Sequence, residues 1–136
     1  RHAEKNRNNP ENPNPHLTEL GLQRAERWKE VLKHIPFDVI YSTAYHRTVE
    51  TALPISKERN LPITYYDSKK LYNKDFAKAN HGKTVLVVGH SNTTPQLANK
   101  ILQQERYPEI SDSLNGRLYI VTIRDQKIFS QLLSIE

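Results

Sequence analysis

The feature that most constrains the fold is the uninterrupted apolar run TVLVV at Thr84–Val88. A continuous β-branched run, without the alternation of a half-exposed strand, is typical of a strand covered on both faces of a parallel sheet. Such a strand needs helices above and below it. A helical pattern does follow, for which Thr94 is the predicted N-cap, Pro95 the first helical residue and Leu97–Leu102 the apolar stripe. The run therefore predicts an α/β fold.

The same order of strand, turn and helix occurs earlier in the chain. Residues 37–42 (FDVIYS) form a short β-rich run, and a helical pattern then extends from about residue 45 to Arg59, where Asn60 and Pro62 close it. Upstream, Thr18 is the predicted N-cap of an amphipathic helix that should end just before Pro36. Its apolar residues recur at helical spacing: Leu22, Ala25, Trp28, Leu32 and Ile35.

The remaining segments complete one alternating pattern. Residues 63–66 are a weaker strand candidate, residues 69–82 are polar and partly helical, and residues 117–123 and 127–133 predict a closing hairpin joined by an Asp-Gln turn. Alternation of this kind predicts a three-layer α/β sandwich with a mainly parallel sheet and helices on both faces. A chain of 136 residues suits one domain over residues 1–136. Its ligand site should lie at the carboxyl ends of the strands.

Composition excludes several classes of protein. The 20 Lys and Arg residues are interleaved with 15 Asp and Glu and form no basic block, so the net charge of +5 does not predict a nucleic-acid partner. No apolar run approaches the roughly 20 residues that a membrane span needs. The chain has no cysteine. We expect a soluble protein, either cytoplasmic or exported after loss of an upstream segment, and the compartment stays open.

Arginine and histidine recur where predicted strands end and where the sequence begins. Arg1 and His2 stand first, Arg47 follows the FDVIYS run, and His90 comes directly after the TVLVV run and Gly89. Guanidinium groups bind non-bridging phosphate oxygens through paired N–H bonds, and a neutral imidazole can attack phosphorus. A second imidazole can stabilise the charge that spreads over a transferring phosphoryl group. One such residue carries little information, but the combination predicts a phosphoryl-transfer site.

Four motifs in sequence order resemble a known family. Arg1–Glu4 (RHAE) resembles an Arg-His-Gly-Glu opening, and Leu17–Gly21 (LTELG) resembles a Leu-Thr-x-x-Gly helix start. Ser42–Ala52 (STAYHRTVETA) is similar to a Ser-x-x-x-x-Arg-x-x-x-Thr-Ala element, and Val87–Ser91 (VVGHS) is similar to a late strand that ends in Gly-His. The family with this set of motifs is the histidine phosphatase superfamily, also called the phosphoglycerate mutase-like family.

The resemblance implies a phosphoglycerate mutase-like fold and a phosphatase of the small bacterial type. In the implied mechanism His2 is the nucleophile and is transiently phosphorylated, Arg1 and Arg47 hold the phosphate, and His90 completes the pocket. Ser91 would donate a hydrogen bond to the phosphate, although such a residue is also common at the start of a helix. The substrate would be a phosphomonoester or phosphoramidate, carried by a small molecule or a phosphoprotein.

This scheme requires neither a metal nor a cofactor. Neutral imidazole is the attacking form, and a pKa near the reference of about 6.5 would leave His2 largely neutral at neutral pH. The six histidines show no His-x-His or His-Glu-x-x-His spacing, and no carboxylate cluster accompanies them, so we expect no metal site. They are His2, His16, His34, His46, His81 and His90.

The general acid that protonates the leaving group is the least defined residue. Asp67, just past a predicted strand end, is the candidate, although it could equally be a surface residue that caps the following turn. Glu4 and Asp75 are the alternatives. A phosphoramidate or another good leaving group would need the acid less.

Two other functions stay open. Only 36 residues separate Ala52 from Gly89, which leaves little room for the insertion that forms a lid in larger members. This argues against phosphoglycerate mutase-type phosphoryl transfer, which we keep as an alternative beside a non-catalytic module that binds a phosphorylated ligand. Two departures from the family pattern stand out. Ala3 replaces a frequent glycine, and the strand that normally precedes the Arg-His motif would have to lie upstream of Arg1.

Overall fold

The computed structural model describes every residue from Arg1 to Glu136. Its elements, in chain order, are α1 (Glu19–Val31), β1 (Val39–Ser42), α2 (His46–Arg59), β2 (Ile63–Tyr65), a 3₁₀ turn (Ser68–Lys70), α3 (Lys74–Ala79), β3 (Val85–Val88), α4 (Thr93–Leu102), β4 (Arg117–Arg124) and β5 (Lys127–Ser134). None of the helices combines the length and the apolar character that a bilayer crossing demands.

The parallel sheet has three strands in the order β2-β1-β3, with β1 in the centre. Ile40 of β1 pairs with Ile63 on one side and Leu86 on the other. The TVLVV run forms β3, as predicted. The expected burial on both faces was wrong, because β3 lies at the edge of this sheet and only Val88 is buried. β4 and β5 form a separate antiparallel hairpin in which Arg117 pairs with Ser134 and Arg124 with Lys127. The mixed α/β architecture with a mainly parallel sheet is therefore confirmed.

Helices cover both faces of the sheet. On one face Ala52 and Ile55 of α2 pack with Ile40 and Val88, and Trp28 and Leu32 of the α1 region extend the same core. Because successive side chains of a strand point to opposite faces, Tyr41 lies on the other face. There its ring is 5.1 Å from the ring of Phe76 in α3, and its hydroxyl contacts the side chain of Asn80. The expected three-layer arrangement is present.

The ends of the first two helices follow from local chemistry. Thr18 is the N-cap of α1, and its Oγ1 accepts a hydrogen bond from the backbone of Gly21 at 3.0 Å. Asn60 ends α2 in the left-handed conformation with φ of 50°. The predicted helix, which included Leu32 and Ile35 and ended before Pro36, was too long. The helix ends at Val31, and the guanidinium of Arg59 donates to the carbonyls of Leu32 and Ile35 instead.

The start of α4 also differs from the prediction. Asn92, not Thr94, is the N-cap, and its Oδ1 accepts a hydrogen bond from the backbone of Thr93 at 2.9 Å. Pro95 is therefore the third helical residue rather than the first. Proline is tolerated there because the first-turn N–H groups have no partner within the helix. The Asp-Gln hairpin turn is confirmed, since Asp125 and Gln126 both have positive φ, the backbone of a type I′ turn.

The first residues are held against the beginning of α1. Ala3 packs with Leu17 and Ala25 in a second apolar cluster, and the backbone of Thr18 donates to the Glu4 carbonyl at 2.9 Å. A Cβ at Gly21 would overlap that same Glu4 carbonyl, so only glycine permits this close approach. The Leu-Thr-x-x-Gly segment thereby fixes the position of the Arg1–Glu4 segment.

Replacement of the central core residue should measure how far the fold depends on β1. Ile40 is fully buried between α2 and the neighbouring strands. We expect Ile40→Ala to lower the free energy of unfolding by about 2–5 kcal/mol, because it removes buried methyl groups and leaves a cavity. Ile123→Ala is the matched control, since Ile123 is 55% exposed, and it should lose less than about 1 kcal/mol. Urea unfolding measures both, and equal losses would contradict this account of the core.

Candidate active site

The site lies at the carboxyl ends of β1 and β3, where the backbone of His2 is held on three sides. The His2 N–H donates to the Gly89 carbonyl at 2.9 Å, and the His2 carbonyl accepts from the side-chain amide of Asn115 at 3.2 Å. The neighbouring N–H of Ala3 donates to Oγ1 of Thr51 in α2 at 2.9 Å. These contacts join the chain start to β3, to the loop before β4 and to α2. His2 is buried, with 3% of its surface exposed.

The hydrogen bonds of the His2 ring define which nitrogen is reactive. Nδ1 lies 2.7 Å from the backbone carbonyl of Ala3. A carbonyl can only accept, so Nδ1 carries the proton and Nε2 carries the free lone pair. The imidazole is thus oriented with an unprotonated nitrogen, as a nucleophile requires.

A second imidazole stands beside the first. The rings of His2 and His90 have centroids 5.8 Å apart in an edge-to-face arrangement. Nε2 of His90 is 2.9 Å from Oγ1 of Thr43, which is itself hydrogen-bonded to Thr48. The backbone N–H of His90 donates to Oγ1 of Thr93 at 3.0 Å. The Gly-His motif after β3 therefore brings His90 to His2, as the sequence predicted.

Arg1 is the most enclosed charged residue of the site, because only 1% of its side chain is exposed. Its Nη2 donates to the Asp112 carboxylate at 2.9 Å. Its Nη1 lies within hydrogen-bond distance of three carbonyl oxygens in the loop before β4, those of Ser111 (2.9 Å), Asp112 (3.1 Å) and Leu114 (2.7 Å). The loop therefore neutralises and orients one side of the guanidinium.

Arg47 enters the site from the first turn of α2. Its guanidinium carbon lies 4.6 Å from the centre of the Tyr45 ring, a cation–π contact. Its only hydrogen bond within the protein is a long one, 3.4 Å, from Nη1 to the carbonyl of Pro13. The Tyr45 ring also lies edge-on to His90, with centroids 5.2 Å apart. Tyr45 thus forms a wall of the site that contacts both Arg47 and His90.

The two arginines share one unusual property. Nε of Arg1 and Nε of Arg47 are buried and have no hydrogen-bond partner within the protein, and Oγ1 of Thr94 is the only other such side-chain atom. A buried N–H of a charged group is costly to leave unpaired, and native proteins contain few of them. Two guanidinium Nε–H donors beside two histidines form an arrangement that accepts an oxyanion with several equivalent oxygens.

Burial keeps both histidines neutral. Desolvation lowers the pKa of His2 to about 3, against the opposing effect of its hydrogen bond to Ala3, and the charges of Arg1 and Arg47 lower it further. Desolvation, followed by the charge of Arg47, lowers the pKa of His90 to about 4. The sequence-based expectation of a pKa near 6.5 for His2 was wrong, because the sequence did not reveal the depth of burial. Both rings are therefore uncharged at neutral pH.

The positive charge of the site extends towards its rim. The Asp112 carboxylate bridges Arg1 and Arg7, and its hydrogen bond to Arg7 holds its pKa below the usual range. Burial and then the charges of Arg47 and Arg7 lower the pKa of Lys5. The Asp112 carboxylate thus stands among three cationic side chains, those of Arg1, Arg7 and Lys5. Asp112 and Asn115 were missed in the sequence because they lie more than a hundred residues from the Arg-His motif and belong to no recognisable pattern.

None of the three candidate acids forms a hydrogen bond or an ion pair with the arginines and histidines of the site. Asp67 is exposed and caps the 3₁₀ turn, where its Oδ1 accepts from the backbone of Lys69 at 2.9 Å. Glu4 forms a close ion pair with Arg24, with both side chains mostly buried. Asp75 is exposed in the first turn of α3. The assignment of Asp67 as the acid stays a prediction.

Ser91 and Gly89 flank His90 with different roles in packing. The backbone carbonyl of Ser91 accepts from the N–H of Ile110 at 2.9 Å, whereas its hydroxyl forms no hydrogen bond within the protein. A Cβ at Gly89 would lie 2.8 Å from the hydroxyl of Tyr66, so glycine is needed for the close packing behind His90. Phosphate binding by Ser91 stays a prediction.

A separate group of potential metal ligands lies on the outer side of α2. His16, His46 and Glu50 have ligand atoms within 4.8 Å of one another. The spacing of these residues in the sequence does not match a metal-ligand motif, because His16 is thirty residues from His46 and only the His46–Glu50 pair shares a helix face.

Comparisons with known proteins agree with this architecture. The model of the histidine phosphatase superfamily (branch 1) matches residues 1–68, half of the chain. No curated protein matches the sequence.

Solved structures share the fold at low identity. Alpha-ribazole phosphatase from Shigella flexneri has a TM-score of 0.77 at 14% identity, covering 98% of this chain and 93% of its own. A mutant phosphoserine phosphatase from Entamoeba histolytica in complex with phosphoserine has a TM-score of 0.72 at 16% identity, with 95% and 91% covered. The candidate phosphohistidine phosphatase SixA from Agrobacterium tumefaciens has a TM-score of 0.58 at 21% identity, with 74% and 72% covered. From its motifs, its fold and the match over residues 1–68, the chain belongs to the histidine phosphatase superfamily.

Proposed function

We propose that this protein is a phosphatase that hydrolyses a phosphomonoester or phosphoramidate through a phosphohistidine formed on His2. The observation that carries the proposal is the pairing of a free Nε2 lone pair on neutral His2 with two unpartnered, buried Nε–H donors from Arg1 and Arg47. A nucleophile and a cradle for phosphate oxygens are the two parts that phosphoryl transfer needs.

In the first step Nε2 of His2 forms a bond to phosphorus while the bond from phosphorus to the leaving group breaks. The imidazole takes on positive charge as the N–P bond forms. The Ala3 carbonyl, which accepts from Nδ1 at 2.7 Å, stabilises that charge and keeps the ring in line. The leaving group takes a proton from a general acid or from water.

In the second step a water molecule attacks the phosphorus of phosphohistidine from the side opposite His2. The N–P bond breaks, its electron pair returns to Nε2, and inorganic phosphate forms. The attacking water gives its proton to the group that protonated the leaving group, or to solvent. His90 lies beside His2 and, neutral at physiological pH, can donate one N–H to the transferring group without adding a full charge to the pocket. The enzyme returns to its starting state.

The arginines supply the electrostatic part of the proposal. Arg1 is held rigidly by the loop before β4, and Arg47 rests on the Tyr45 ring, so neither needs to reorganise when charge develops on the phosphoryl oxygens. Donors preorganised in this way act more strongly in a dry site than in water, since the local dielectric is low. Their permanent charges also favour the dianionic form of the substrate.

The ionisation of the nearby carboxylates affects which leaving groups the site can release. Asp112 is held ionised between Arg1 and Arg7 and is therefore a poor proton donor, and the Glu4 carboxylate is occupied by an ion pair with Arg24. Asp67 remains the candidate acid. This arrangement favours substrates that need little protonation, such as phosphoramidates, and it fits a phosphohistidine on a protein as well as an activated small phosphate ester. The similar solved structures include one described as a phosphohistidine phosphatase and one described as a phosphoserine phosphatase.

Removal of the nucleophile should abolish turnover. We expect His2→Ala to reduce the hydrolysis of p-nitrophenyl phosphate, measured with EDTA present, to the background rate. Trapping of an acid-labile phosphoenzyme should succeed with the wild type and fail with the variant. His81→Ala is the matched control, because His81 is exposed and its side chain makes no hydrogen bond or ion pair within the protein. Wild-type turnover by the His2 variant would refute the mechanism, and intact phosphate binding without any turnover would favour the binding module.

Removal of Arg47 should weaken phosphate binding and transition-state stabilisation together. We expect Arg47→Ala to lower kcat/KM for p-nitrophenyl phosphate by about 10²–10³-fold, since one preorganised donor group is lost. Inorganic phosphate should also inhibit the variant less strongly than the wild type. Arg27→Ala serves as the control because Arg27 is exposed on α1 and makes no ion pair. A change confined to KM, with kcat unaltered, would mean that Arg47 binds the substrate equally in the ground state and in the transition state.

The lowered pKa values of the two histidines predict how stability depends on pH. In the unfolded chain both rings take up a proton near pH 6.5, whereas in the folded protein His2 stays neutral to about pH 3 and His90 to about pH 4. The unfolded state therefore binds more protons in this window, and stability falls as the pH drops from about 6.5 towards 4. Between pH 4 and 6, the slope of the free energy of unfolding against pH should correspond to the uptake of about two protons by these histidines on unfolding. In His2→Gln it should correspond to about one proton.

Urea unfolding at a series of pH values tests this slope. Other groups contribute equally to the wild type and to His2→Gln, so the difference between the two slopes isolates His2. Identical slopes would show that His2 is not held neutral by the fold.

A further inference from the structure

We propose that His16, His46 and Glu50 form a binding site for a zinc-like divalent transition metal, separate from the phosphatase centre. His46 is the first residue of α2, and Glu50 lies one turn later on the same face of that helix. His16 comes from the end of the Asn- and Pro-rich loop, residues 6–16, and its Nδ1 contacts Glu50 Oε1. The three ligand atoms lie within 4.8 Å of one another.

The residues around the group orient its ligands. The second oxygen of Glu50 accepts a hydrogen bond from the backbone of Leu17 at 2.8 Å, which fixes the carboxylate. The backbone of His46 donates to Oδ1 of Asn14 at 2.9 Å, which fixes the start of α2 beside the loop. Contacts of this kind are the outer-shell interactions that position metal ligands in proteins. Glu50 is also the least exposed of the three ligands.

The ligand set determines the class of cation. Two imidazole nitrogens and one carboxylate oxygen suit Zn²⁺ or a similar borderline ion, whereas Mg²⁺ and Ca²⁺ prefer oxygen alone. The two imidazole rings are stacked, with centroids 3.9 Å apart. Binding requires the rings to turn so that both nitrogens face one ion. The exposure of His16 and His46 allows this rotation. A water molecule would complete a tetrahedral shell around an ion held by three protein ligands.

A metal at this position would cross-link two parts of the fold that meet beside the phosphatase site. It would tie the residue 6–16 loop to the first turn of α2, the turn that also carries Arg47. The same loop provides the Pro13 carbonyl to which Arg47 donates. We therefore expect metal binding to stabilise the folded protein, because the ion binds the assembled pair of segments and has no equivalent site in the unfolded chain.

Isothermal titration of the tag-free protein with ZnCl₂ tests the proposal directly, without reference to phosphatase activity. We expect one ion per chain and a rise in the thermal unfolding temperature with zinc concentration. His16→Gln and His46→Gln should each weaken binding by at least about tenfold, since loss of a ligand costs no less than loss of an outer-shell contact. Glu50→Gln should do the same while it keeps an acceptor for Leu17. Circular dichroism verifies that each variant is folded.

Two controls separate this site from other histidines. His34→Gln removes an exposed histidine outside the group and should leave zinc binding unchanged. His2→Ala removes one member of the buried His2–His90 pair, the other place where two imidazoles meet. Zinc binding that survives His16→Gln and Glu50→Gln but disappears in His2→Ala would overturn the proposal. A wild-type protein that binds no zinc would overturn it as well. Failure of the phosphatase mechanism would leave each of these outcomes unchanged.

Discussion

The burial of the Arg1 guanidinium is the constraint on which the rest of the site depends. A charge taken out of water must be compensated by acceptors within the protein. The Ser111–Leu114 loop provides them through three carbonyls and the Asp112 carboxylate, so that loop must fold against the chain start. The next residue, Asn115, then reaches the carbonyl of His2. A single buried charge thereby connects the segment after α4 to His2.

Burial also sets the protonation state of the two histidines. An imidazole among permanent positive charges and out of contact with water is driven to its neutral form. Neutrality usually removes a charge that a protein could use, but for a nucleophile it is the reactive state. The pocket therefore holds positive charge on the arginines, which remain protonated, and a free lone pair on each neutral imidazole, which carries a proton on only one of its nitrogens.

Helix α2 organises both sides of this region. Thr51 holds the backbone of Ala3, Arg47 points into the pocket, and Glu50 fixes the backbone of Leu17. One helix thus positions the His2–Ala3 segment, the Arg47 guanidinium and the start of α1 through side chains at neighbouring positions. The stacked His16 and His46 rings lie on its outer side and link the same helix to the Asn- and Pro-rich loop. A cation at that face would reinforce contacts that the helix already makes.

The sequence by itself determined the elements whose signals are local. The TVLVV run predicted β3, Thr18 and Asn60 marked the ends of two helices, and the spaced Arg and His motifs predicted which side chains meet at the strand ends. Only the tertiary structure decided the features that depend on distant partners. Arg59 binds the carbonyls of Leu32 and Ile35 just beyond the end of α1. Asp112 and Asn115 reach the first residues from the far end of the chain, and burial moves the His2 pKa well below 6.5. Helix caps and the spacing of apolar residues depend on a few neighbouring residues only. Desolvation and long-range hydrogen bonds exist only once separate segments have packed together.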